Sequence, residues 1–271
     1  MKFSTILLQF LFICVYSCTQ KQQKQIKTDF EIDVCNAIYK DKPIPFDKPI
    51  NDWVELFGKY DRCIDDFYYV WDSLGITLVK SNFSKNGTVN IEENPDALFI
   101  NFENLSSTTL EDNKLEFSSP VVRKILRRNE RNEYYVYAQN ELYIPLGNDS
   151  LHYQYSTSIY PNTVLIDGSI VSGGMSLKEV NNYRTQIKGN GKMGYWDRDG
   201  DWKSERGSTN VKTGEFIDFD RNGKNSECGL TKNYHYQPTL RFTEGILEYI
   251  KVEKVVKGKS TYWYVSPNET K

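Results

Sequence analysis

The chain has 271 residues, 39% of them hydrophobic and 26% charged, with a net charge of −2. That length holds one large domain or two small ones, and the composition is that of a folded protein. The near-balance of charge argues against a nucleic-acid binder, and 2 histidines leave little room for histidine-based catalysis. No Gly-x-Ser-x-Gly elbow, His-Glu-x-x-His or Cys-x-x-Cys pattern occurs, so an enzyme is not expected.

The N-terminus reads Met1-Lys2, then an apolar run from Phe3 to Tyr16, then Ser17-Cys18 and a polar Gln/Lys stretch. The run is shorter than the roughly 20 residues that span a bilayer and has the layout of a secretory signal. Val15-Tyr16-Ser17-Cys18 resembles the lipobox of bacterial lipoproteins. The resemblance implies a signal peptide over 1–17, acylation of Cys18 and insertion of its palmitate-type chains into a lipid bilayer. Residues 18–28 then form a flexible tether. Thr19, rather than Asp, follows the cysteine, which implies an outer-membrane anchor facing the periplasm.

The rest of the chain predicts an α+β fold of two tandem copies of a hairpin–helix–antiparallel-sheet unit, over 29–147 and 148–271. Four segments recur in order: Ile38–Ile44 with Val164–Ile170, Asp52–Leu56 with Ser176–Val180, Tyr69–Asp72 with Gly194–Asp197, and Phe99–Glu103 with Phe216–Asp220. Asp41-Lys42 and Asp167-Gly168 predict hairpin turns. Asp52-x-x-Glu55 and Ser176-x-x-Glu179 predict capping boxes at two helix starts. Trp53, Leu56, Phe57 and Tyr60 form one apolar helix face; Leu177, Val180 and Tyr183 or Arg184 form the other. Strands follow over Phe67–Trp71 and Gly75–Val79, and Asn86-Gly87 predicts a further hairpin turn. Each sheet is expected to keep one face wet. Between the units, a helix over Val121–Asn129 and strands over Tyr134–Ala138, Leu142–Pro145 and Leu151–Ile159 are expected, with a closing strand over Thr261–Val265.

Beside Cys18, four groups are candidate functional residues. Trp71 and Trp196 end aromatic strands and are candidate binding anchors, because Trp buries much area at low entropy cost. Arg123, Arg127 and Arg131 share a helix face and suit an anionic partner. Asp218, Asp220 and Asn222, followed by Gly223, match the start of an EF-hand-type loop but lack its closing Glu. No cofactor is expected otherwise, and calcium is the one alternative. Cys35 and Cys63 bracket the first hairpin and helix and predict a disulfide, leaving Cys228 free.

The Trp71–Ile76 stretch, Trp-Asp-Ser-Leu-Gly-Ile, is similar to segments of poorly characterised secreted and immunity-type bacterial proteins. With the lipobox, it implies a non-catalytic lipoprotein that binds another protein. A glycan or envelope-polymer binder using exposed aromatics is the alternative reading.

Overall fold

The computed structural model describes residues 28–64, 66–80, 94–95, 97–103, 105, 154–196, 207–219, 228 and 232–256. The described residues open with three short strands, β1 (Phe30–Ile32), β2 (Ala37–Tyr39) and β3 (Lys42–Pro43), followed by helix α1 (Ile50–Phe57). Four strands follow: β4 (Arg62–Ile64), β5 (Tyr68–Trp71), β6 (Ile76–Val79) and β7 (Ala97–Asn101). A second hairpin, β8 (Val164–Ile166) and β9 (Ser169–Val171), leads to helix α2 (Leu177–Thr185). The remaining described strands are β10 (Met193–Tyr195), β11 (Gly214–Asp218), β12 (Tyr234–Thr243) and β13 (Ile246–Val256).

The strands form two sheets, a five-stranded one in the order β3-β2-β1-β8-β9 and an eight-stranded one in the order β10-β11-β12-β13-β7-β6-β5-β4. With two helices among the described residues, the fold is a sheet-rich α/β mixture. β1 pairs with β8 in parallel, and β7 pairs with β13 antiparallel. Both sheets therefore draw strands from both predicted units, which share one core. No described helix is long and apolar enough to cross a membrane.

Local sequence explains the turns. The first turn sits one residue before the predicted Asp41-Lys42: Lys40 and Asp41 have φ of 47° and 64°, and Lys42 already opens β3. The second falls where expected, with Asp167 and Gly168 at φ of 52° and 75°. Two successive positive φ values make the tight turn whose twist matches flanking strands. Ser176 caps α2 as expected: its Oγ accepts from the Glu179 amide and the Glu179 carboxylate accepts from the Ser176 amide. The first capping box does not form. Helix α1 starts earlier, after Pro49, and Asp52 lies in its first turn, where its charge favours the helix dipole.

The main core fills the space between the inward faces of the two sheets. Trp53 and Phe57 of α1 pack on Phe46, Tyr39 and Trp71 at ring separations of 5.2, 4.8 and 5.7 Å. Leu177 and Val180 of α2, Phe216 of β11 and Phe242 of β12 complete it. The expectation of a wet second face fails for the eight-stranded sheet. Strands β5, β6 and β7 are buried at every position, because Ile64, Tyr68, Val70, Val79, Ala97 and Phe99 build a second cluster with Tyr155 and Tyr249.

The segment Gln154–Tyr160 straps this face. The Gln154 carbonyl accepts from the Thr77 hydroxyl at 2.6 Å, and the Tyr160 amide donates to the Asn101 carbonyl at 2.6 Å. Gly75 permits the close approach: its φ is +74°, and a Cβ there would stand 2.3 Å from the Tyr160 nitrogen. The predicted elements over 121–129, 134–138, 142–145 and 261–265, and the Asn86-Gly87 turn, lie outside the described residues.

The predicted Cys35–Cys63 bridge is wrong. Cys35 is bonded to Cys228, across 193 residues of sequence, and Cys63 is exposed and free. Cys63 lies on β4 at the far edge of the large sheet. Cys35 sits in the β1–β2 loop beside the entry to β12, where the Tyr236 amide donates to the Val34 carbonyl.

Candidate functional site

Two surfaces merit a functional reading: the charged half of the large sheet's second face, and the outward face of the small sheet. On the first, β11, β12 and β13 place Glu215 opposite Arg241, Thr239 opposite Lys251, and Gln237 opposite Glu253. Isolated charges are costly to bury, so these must find partners. The Lys251 amino group stands 3.3 Å from Glu253 and 3.8 Å from Glu215. A β-bulge in the β12–β13 ladder adds Glu248 to the same network. Its fully buried carboxylate accepts from the Tyr155 and Thr243 hydroxyls, each at 2.6 Å, and faces Arg241. Glu215, Glu248, Lys251 and Glu253 are buried and Arg241 is partly exposed, and their pairing ties β11, β12 and β13 together.

The small sheet differs. Its inward side carries Phe30, Ile32, Ala37, Tyr39, Val164, Ile166, Ser169 and Val171, all buried. Period-two alternation then sends Ile38, Glu31, Leu165 and Ile170 outward. The register sets Pro43, Ile38, Glu31, Leu165 and Ile170 side by side, one per strand. Five strands at their normal spacing make a row about 19 Å wide. Ile38, Leu165 and Ile170 are partly exposed, and Glu31 and Pro43 are exposed. Polar side chains are the ordinary choice for the solvent face of such a sheet. An aliphatic row with one carboxylate at its middle suits a contact with another molecule.

The predicted site residues scatter. Trp71 is no surface anchor: it is 1% exposed, and its indole N–H donates to the Gly58 carbonyl at 2.7 Å. Trp196 follows β10, is partly exposed, and stacks beside Phe219 with ring centroids 6.0 Å apart. Asp218 is buried and accepts from the Arg184 guanidinium at 2.6 Å, an arrangement that already places a cation on it. Asp220, Asn222, Arg123, Arg127, Arg131 and Cys18 lie outside the described residues. The aliphatic row was missed because strands this short alternate over too few positions to be told from their neighbours. The available signal was Phe30-Glu31-Ile32, a single polar residue between two apolar ones.

The chain matches the family described as Domain of unknown function (DUF7738) over residues 29–181. The match covers more than half of the sequence. The chain belongs to this family. The matched span contains every strand of the small sheet and ends inside α2. No curated protein and no solved structure matches the chain.

Proposed function

We propose that this DUF7738 protein is an exported, lipid-anchored module of the outer membrane that faces the periplasm and binds another protein without catalysis, in the manner of an immunity protein or inhibitor. The observation that carries the binding reading is the outward face of the small sheet, which is aliphatic around one carboxylate. A glycan site would favour stacked aromatics instead; among the described residues Trp53, Trp71, Tyr39, Tyr155 and Tyr249 are buried in the fold, while Trp196 is partly exposed beside Phe219 and Tyr183 is exposed. Export is supported by the Cys35–Cys228 bond, since such bonds persist in oxidising compartments. The anchor reading rests on the Val15–Cys18 sequence.

A duplicated origin fits the topology. Among the described residues, each half runs hairpin, helix and four antiparallel strands, and the last described strand of each, β7 and β13, meet at the middle of the large sheet. Superposing β4–β7 on β10–β13 tests this; agreement limited to the hairpins and helices would contradict it.

The function is tested by retaining envelope lysate on the immobilised mature protein. The expected result is retention of a specific protein. Retention of glycan alone would overturn the protein-binding reading in favour of the envelope-polymer one.

A further inference from the structure

We propose that the outward face of the five-stranded sheet docks a protein segment that brings a lysine or arginine side chain, flanked by aliphatic ones, onto Glu31. The inference rests on the protein-binding reading and names the partner's chemistry.

Glu31 stands on the middle strand of the sheet, with Ile38 on one side and Leu165 on the other at the same register position. Its side chain is exposed and makes no hydrogen bond or ion pair among the described residues. The carboxylates next along the chain are held by local bonds. Asp33 accepts from the amides of Cys35 and Asn36 at 2.6 and 2.7 Å, and Asp29 accepts from the Asn162 side chain at 2.9 Å. Lys40 lies beside Asp29, at the hairpin tip and off the middle of the row.

The centre of the face is thus anionic and its flanks are aliphatic. A complementary segment presents a cation between apolar side chains. Such a cation would shed water next to the row, where a charge-assisted bond is stronger than in bulk. A second copy of this chain would set Glu31 against Glu31 if it docked through the same row, and like charges there repel. An anionic lipid surface meets the same repulsion.

The test uses the mature protein with labelled methyl groups, titrated with an octapeptide of alternating leucine and lysine. An octapeptide of alternating leucine and glutamate is the control. The lysine peptide is expected to shift the methyl signals of Ile38, Leu165 and Ile170, and the control to leave them in place. Glu31→Lys is expected to weaken the lysine peptide by about tenfold or more, and the near-isosteric Glu31→Gln by less, with unchanged thermal midpoints. Shifts that map elsewhere, equal response to both peptides, or undiminished binding by both variants would overturn the proposal. So would concentration-dependent shifts of these methyls without peptide, which would assign the face to self-association. Comparing wild type and Glu31→Lys in the envelope experiment separates the two readings. The same protein retained by both would reject this face and leave the protein-binding reading intact. Glycan alone on both would reject that reading as well.

Discussion

Arg184 lies 1% exposed on α2 and reaches three separate elements. Its Nε donates to the Gly191 carbonyl at 3.0 Å, and its Nη2 donates to Asp218 on β11 at 2.6 Å and to Asp167 at the β8–β9 turn at 3.3 Å. Removing one side of a buried ion pair strands the other, at a cost of about 3–5 kcal/mol. Arg184→Met is therefore expected to lower the unfolding free energy by about that amount in urea titrations. A loss below about 1 kcal/mol would show the network to be weakly coupled. The helix period narrowed the inward position to Tyr183 or Arg184, and hydrophobicity alone favoured the wrong one. Tyr183 is 42% exposed, because the arginine has fixed acceptors at both ends of its reach. The same pair explains Asp218, which looks like a cation ligand only when its neighbours in sequence are considered.

At the scale of elements, the Gln154–Tyr160 strap is tied to β4–β5 through Asp72. The Asp72 carboxylate accepts from Arg62 at 2.7 and 2.9 Å and from the Thr157 amide at 2.8 Å. Partial burial by itself would raise this carboxyl, but the Arg62 and Thr157 bonds outweigh it and hold it below the usual range. A lowered folded-state value means that the tie stabilises the fold above the unfolded carboxyl range, near pH 4. The contribution is then lost as pH falls through the lower folded value. Asp72→Asn should show a shallower loss of stability than wild type between about pH 4 and 2, measured by urea unfolding at each pH. Parallel curves would contradict the tie. The Asp167-Gly168 hairpin was readable because a tight turn needs residues that tolerate positive φ, whereas the first turn falls on Lys40-Asp41, one residue before the pair expected. Strands β12 and β13 were not recognised, although Glu244-Gly245 joins them with φ of 52° and 86°. Pro238 argues against a central strand. The ladder to β11 reaches only as far as Leu240, so among the described residues Pro238 has no paired neighbour on that side of β12.

For the whole molecule, the order of hairpin and helix was legible, and the way the halves join was not. Pairing of β1 with β8 and of β7 with β13 links residues far apart in sequence, and no local pattern encodes that choice. The two Trp-Asp segments also occupy unlike places: Trp71 ends β5, the second strand after its helix, whereas Trp196 follows β10, the first. Because β7 relies on β13 for its outer ladder, the family-matched span 29–181 alone leaves that edge open. Expressed by itself, it is expected to lack a cooperative thermal transition by circular dichroism; a sharp transition like that of the full chain would contradict the shared core. The Cys35–Cys228 bond closes the same architecture across 193 residues, a partner choice that spacing could not supply.

Peptide mapping by mass spectrometry of protein isolated from membranes without reduction tests the proposed export, anchoring and closure by that bond together. The expected map has an acylated Cys18 as the first residue, a linked peptide containing Cys35 and Cys228, and Cys63 alone modified by a thiol reagent. An unmodified N-terminus, three reactive thiols or a Cys35–Cys63 peptide would contradict it.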